Sequence, residues 1–249
     1  MIKGDIRKAA LLNTAEKLFF TRGYAATTIN DILESEHCSK GSFYHHFESK
    51  LDVLTALCRT DAERAYERYT ARADETVDAL EKLNLLLEAS FPVQQDEKDL
   101  CALLMQLIAT PEGEQVLSVF FGELRQRFFE DFSVLMDELA KEEQAFLPIP
   151  GIPALAFAAY QAECRQMLKI GADLAQGQEV PQEEAADTLR ACRYLMERTM
   201  DLPYGSIRIA AAQEVDRLLK ACAAHVRSVE KEAQPVPTGF AGSRQLSLL

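Results

Sequence analysis

The chain has 249 residues and a formal net charge of −12, with 48% apolar and 27% charged side chains. Such a length makes one large domain or two small ones, and the apolar content buries a sizeable core, which excludes a disordered chain. With 11 glycines and 9 prolines, the sequence is too poor in turn formers for a collagen-like or turn-dense all-β protein. Its abundant Leu, Ala and Glu favour helix. No apolar run approaches the ~18 residues of a membrane span. The stretch that begins at Ile152 is broken by Gln161, Glu163 and Arg165. Met1-Ile2-Lys3-Gly4-Asp5 leads into a mixed polar stretch rather than an apolar signal core. The expectation is a cytoplasmic protein with no membrane partner.

In chain order, residues 6–22 place Leu11, Ala15, Leu18 and Phe19 on one helical face. Gly23 then fits a left-handed cap. Thr28 and Asp31 form a capping box for a second short helix carrying Ile29, Ile32 and Leu33. Ser35 to Cys38 is a tight connection. Ser39 caps a third helix, Lys40 to His46, and Ser49 with Asp52 opens a fourth at Lys50. Three short helices in so few residues, two of them joined by a tight turn, make a helix-turn-helix pattern. Longer helices follow over 50–72, 75–90, 97–109 and 112–144, punctuated by Pro92 and Pro111. Pro148, Pro150 and Pro153 break the chain. Helices over 154–176, 182–201 and 206–228 complete it. The fold class is all-α: a three-helix head (1–49), a larger helical body (50–228) and a disordered tail (229–249).

The charge divides with the fold. Residues 1–60 carry 8 Lys and Arg against 7 Asp and Glu, together with His37, His45 and His46, whereas residues 61–228 carry 17 against 30. An acidic body on a near-neutral head suggests two functional parts but does not by itself identify a nucleic-acid binder. The six cysteines, at 38, 58, 101, 164, 192 and 222, are widely spaced without a CxxC pair. They read as reduced thiols in the core. His37, Cys38, His45 and His46 match no common zinc spacing, so no metal or cofactor is expected. No GxSxG, P-loop, HExxH or dinucleotide fingerprint points to an enzyme.

The run Leu11-Leu12-Asn13-Thr14-Ala15-Glu16-Lys17-Leu18-Phe19, with Gly23-Tyr24, Thr27-Thr28-Ile29, Asp31-Ile32, Ser39 to Phe47 and Ser49-Lys50, strongly resembles the DNA-binding head of TetR-type transcriptional regulators. The resemblance covers about residues 6–58. Two positions depart from it: His37-Cys38 stands where the family has a Gly-Val-like pair, and Leu51 where an acidic residue is common. A non-Gly residue at positive φ is strained, so His37 marks the turn as unusual. Only one helix fits the major groove, and its first residues reach base edges. Ser39, Lys40, Gly41 and Ser42 are therefore candidate reading residues. Tyr44, His45 and Lys50 are candidate phosphate donors, as are Thr27 and Thr28 at a helix N-terminus. The resemblance places these same positions at DNA and puts Phe43 and Phe47 in the head's core.

It further implies a body that dimerises and binds a small effector. Leu189, Cys192 and Met196 on the 182–201 helix, with Ile207, Val215, Leu218 and Cys222 on the next, are candidates for a seam between two chains; the alternative is that both faces pack inside one chain. Met105, Phe120, Phe121, Phe128, Phe132, Phe157, Tyr160 and Met167 are candidates to line a pocket for an apolar or amphipathic effector, although an ordinary core has the same composition. The function expected is a dimeric, ligand-responsive regulator, a repressor on a palindromic double-stranded operator. The alternative is a helical ligand-binding or protein-interaction module whose head does not read DNA.

Overall fold

The computed structural model describes residues 3–95, 98–108 and 110–233. Among them are ten α-helices and no strand. The head comprises α1 (Lys3–Arg22), α2 (Ile29–Ser35) and α3 (Lys40–Tyr44). The body comprises α4 (Lys50–Ala73), α5 (Ala79–Ser90), α6 (Lys98–Ile108), α7 (Gly113–Lys141), α8 (Ile152–Ala175), α9 (Glu184–Thr199) and α10 (Ala212–Ala233). Most of the expected tail, residues 234–249, lies outside the described residues; α10 itself continues five residues past the expected end at 228.

Local chemistry sets the head's geometry. Thr28 and Asp31 close a reciprocal capping box on α2, and Ser49 Oγ accepts from Asp52 N–H at the start of α4. Gly23, at φ +85°, ends α1. The α2–α3 turn is a Schellman motif: Cys38 N–H donates to the Leu33 carbonyl at 3.0 Å and His37 N–H to that of Glu34 at 3.2 Å. His37 occupies the left-handed position at φ +48°. Leu11, Phe19, Ile32, Phe43 and Phe47 fill the space between the three helices.

In the body, α4 lies chiefly on α7 and α5, while α8 packs on α9, α10 and α6. Phe128 meets Tyr66 and Tyr69 at ring-centroid distances of 5.3 and 5.9 Å, and Phe132 meets Phe157 at 5.2 Å. The stretch 206–211, expected as the first turns of the last helix, is extended instead. Asn84 causes this: its side chain donates to the Ser206 carbonyl and accepts from Arg208 N–H, at 3.0 and 2.6 Å. Those side-chain bonds replace helix bonds, and Ile207 and Ile209 turn inward while Arg208 and Ala210 turn out. Among the described residues no helix is long and apolar enough to cross a membrane.

Candidate nucleic-acid interface and body cleft

Thr28, Ser39, Lys40, Gly41, Tyr44 and His45 are exposed, and Ser42 is half-buried. They share the α2–α3 end of the head, with Tyr44 55% exposed. An apolar-bodied phenol standing that far into solvent is suited to a partner. The Ser39 hydroxyl accepts from Ser42 N–H at 3.3 Å, so Ser39 is a helix cap as well as a surface hydroxyl. Thr28 has the same double character. Its hydroxyl and N–H both donate to Asp31, at 2.6 and 2.7 Å, and these bonds hold the Asp31 carboxyl below its ordinary pKa.

Two of the nine expected DNA contacts are placed differently. Thr27 is fully buried, and its hydroxyl donates to the carbonyls of Gly23 and Leu18 at 2.9 and 3.2 Å. This corrects the expectation: the side chain ties α2 to the end of α1 and offers nothing to DNA. Lys50 turns back toward the head. Its ammonium donates to the carbonyls of Tyr24 and Thr27 at 2.7 and 2.9 Å and lies 4.1 Å from the Tyr24 ring centroid. Burial lowers its pKa, opposed by the nearby Glu112 carboxylate. Lys50 is thus first a fastener of the α1–α2 loop.

In the body, the residues expected to line a pocket are all buried. Met105 lies against Gly171, its Sδ 2.7 Å from where a Cβ would stand, so α6 and α8 touch closely there. Phe120 and Phe121 pack edge to face at 5.3 Å. Phe128, Phe132 and Phe157 belong to the aromatic core described above. The Tyr160 hydroxyl donates to the Leu87 carbonyl at 2.6 Å and stands 3.2 Å from Ser90 Oγ, so its polar end is satisfied internally. Tyr160 and Met167 border a void of about 10 Å³. These eight side chains are core. A cleft of about 590 Å³ lies elsewhere, between α5, the 91–95 loop, α9, the 206–211 segment and α10. Its wall carries Arg72, Arg193 and Arg208 with Glu81, Glu88 and Glu214 over an apolar floor of Leu85, Phe91, Val93, Ile209 and Val215. No stretch of sequence announces it, because its lining is drawn from positions 72 to 218 and its character arises only on folding.

The expected seam is corrected as well. Leu189, Cys192, Met196, Ile207, Val215, Leu218 and Cys222 are all at most 5% exposed within the single chain. The six on helices belong to α9 and α10, which pack on α8 and, for α10, on α6, and Ile207 lies in the 206–211 segment, so all seven are covered within the single chain. Among the large apolar side chains left outside near α8 and α9 are Phe146, Ile149, Leu155, Tyr194, Leu195 and Tyr204.

Three head helices, the last two short and joined by a fastened turn, set on a larger helical body, define the class: an all-α protein with a helix-turn-helix head. Residues 11–57 match the model of bacterial regulatory proteins of the tetR family. The HTH-type transcriptional repressor KstR2 of Mycobacterium tuberculosis is 39% identical over 85 residues, which are 34% of this chain and 42% of that protein. The chain therefore aligns with under half the length of that relative. Salmonella enterica GusR superposes with a TM-score of 0.55 at 16% identity, covering 81% of this chain and 98% of that one. Bacillus subtilis FadR, solved with stearoyl-CoA, gives 0.54 at 16% identity over 80% and 99%. Residues 11–57 are thus similar to the head of the tetR family, and about four fifths of the chain shares the fold of these solved regulators.

Proposed function

We propose that the protein is a transcriptional repressor that binds a palindromic operator as a homodimer in the cytoplasm and releases it when a small effector occupies the body. The carrying observation is the matched head, which displays Thr28, Lys40, Gly41, Tyr44 and His45 together around a short capped helix. In this reading Lys40 and Ser42 reach base edges, and Tyr44, His45 and the cap of Thr28 meet phosphates. One such helix spans too few base pairs to select a genomic site, so two must act together.

The seam of the dimer is then the outer face of α8 and α9. Leu155, Tyr194 and Leu195 are 60%, 58% and 45% exposed there, and Ala158 and Ala162 are exposed beside them. Small residues on one helix let a partner helix approach closely, and exposed Tyr and Leu supply area to cover.

The test is selection of binding sites from fragmented genomic DNA, followed by titration of the selected duplex and a scrambled one at several salt concentrations. A palindromic site bound at least a thousandfold more tightly than scrambled DNA is the expected result. Lys40→Ala should weaken the selected site by about 1–3 kcal/mol and scrambled DNA less. Recovery of no sequence, with equal weak binding throughout, would overturn the reading and favour a body whose head no longer reads DNA. Leu195→Glu should yield monomers in sedimentation and lose the operator.

A further inference from the structure

One helix, α10, touches both the cleft in the body and the first helix of the head. The N-terminal turns of α10 line the cleft with Glu214, Val215 and Leu218. Farther along, the His225 ring stacks on Phe20 of α1, with centroids 4.0 Å apart and planes 13° apart, and its Nε2 lies 3.0 Å from the Phe20 carbonyl oxygen. One turn later, Val229 Cγ1 lies 3.2 Å from where a Cβ on Gly23 would stand. The rise from Glu214 to His225 is about 16 Å along the axis. A helix of that length is stiff, so a shift at its first turn is felt at its fourth.

The cleft's charges indicate what it can hold. Arg72 pairs with Glu88 at 2.8 Å, Arg208 pairs with Glu81, and Glu214 pairs with Arg217 outside the cleft. Arg193 is the remaining cation. Its neighbour one helical turn on, Glu197, is buried with Oε1 accepting from the N–H groups of Gly205 and Ile207 at 2.9 and 3.0 Å. Among the described residues no carboxylate lies in ion-pair range of Arg193. A half-buried guanidinium with a rigid fork above an apolar floor matches a carboxylate attached to an apolar body. A cation would meet Arg193 unfavourably, and a dianion would bring one charge too many. The volume of about 590 Å³ falls within the range of small-molecule sites.

We propose that this cleft binds a small amphipathic monocarboxylate, held by Arg193, and that α10 transmits its occupancy to the head through the His225–Phe20 contact. The transmission half rests on the regulator reading above; the binding half does not. Occupancy moves the first turns of α10 away from α5, which drags His225 and Val229 across the end of α1 and reorients α2 and α3 with it. Because linkage is reciprocal, the operator complex binds the carboxylate more weakly by the same factor.

The test titrates the full chain calorimetrically with straight-chain alkanoates of four to twelve carbons and with their primary amides. At least one alkanoate should bind at least tenfold more tightly than its amide. Arg193→Gln should erase that preference while leaving amide binding as it was, and Arg193→Lys should restore part of it. Failure of every alkanoate to bind, or a preference that survives in Arg193→Gln, overturns the site. Operator affinity is then measured with and without the bound alkanoate. The wild type should lose about 5–150-fold, and His225→Ala should bind both operator and alkanoate yet lose less than half that factor on a logarithmic scale. Undiminished coupling in His225→Ala, or alkanoate binding without any effect on DNA, overturns the relay. A protein that binds the alkanoate but selects no DNA refutes the regulator reading and the relay while the site stands. A protein that selects an operator but takes no carboxylate refutes the site and the relay while the regulator reading stands.

Discussion

Replacing Asp61 by Asn should stabilise the protein at neutral pH and do so far less in acid. Asp61 lies on α4 at the joint with the head, beside a small void it shares with Glu16 of α1 and Asp99 of α6. Burial, against the attraction of Arg68 and Arg64 and with a smaller push from Glu16, raises its carboxyl pKa from 3.8 to about 6. Each tenfold change in proton affinity is worth about 1.4 kcal/mol, so keeping Asp61 ionised in the fold costs about 3 kcal/mol before solvent screening. The side chain is partly open, which reduces this to about 1–3 kcal/mol. The sign follows from a folded pKa above the unfolded one. The penalty is complete above about pH 6 and fades as pH falls toward 4, because the folded state then takes up the proton first. At about pH 4.5 only roughly a third of it remains. Urea unfolding followed by far-ultraviolet dichroism, at equal protein concentration and at about pH 7.5 and 4.5, reads the difference from midpoints at constant slope. Equal stability of wild type and Asp61→Asn at pH 7.5, or the same gain at both pH values, would refute the reasoning.

Three further outcomes are expected. His37→Gly removes a left-handed conformation from a side chain that resists it; the gain, offset by the entropy of glycine in the unfolded chain, is about 0.5 kcal/mol in head stability, and a loss in thermal denaturation would show that His37 makes a compensating contact. Lys50→Met leaves the Tyr24 and Thr27 carbonyls without their charged donor and should cost about 2–3 kcal/mol while leaving the salt slope of DNA binding unchanged; a slope lower by about one would instead assign Lys50 to a phosphate. Of the six thiols only Cys38 is partly exposed, and the others are buried. An aromatic disulfide reagent should therefore titrate one thiol quickly in the native protein and the rest only on unfolding, and a second fast thiol would contradict the packing of the helix that carries it.

Helix ends were legible because short-range bonds decide them. Thr28 with Asp31 and Ser49 with Asp52 act across three residues, so the sequence contains the whole interaction. Gly23 at positive φ is similarly local. Amphipathic periodicity revealed that α9 and α10 each hide one face, but not what covers it, since a partner chain and the same chain demand the same residues. Thr27 and Thr28 show the limit at the smallest scale: adjacent and identical, they point opposite ways because one hydroxyl meets the end of α1 and the other its own helix. An aromatic cluster can fill a core or line a cavity, and composition does not separate these outcomes. The 206–211 segment was misread as helix because Asn84, over a hundred residues away, supplies the bonds that hold it extended.

The contact between His225 and Phe20 spans 205 residues, and that separation has a consequence in time. Every bond that shapes α2 and α3 lies within the first fifty-odd positions, so the head can form soon after it leaves the ribosome. At ordinary elongation rates α10 follows roughly 10–40 s later. During that interval Phe20 lacks its stacking partner and Gly23 its Val229 neighbour, while α4 and α6 already reach α1. Each newly made molecule thus begins as a head on an unfinished chain, and gains its His225–Phe20 contact only when the last described helix closes over the first.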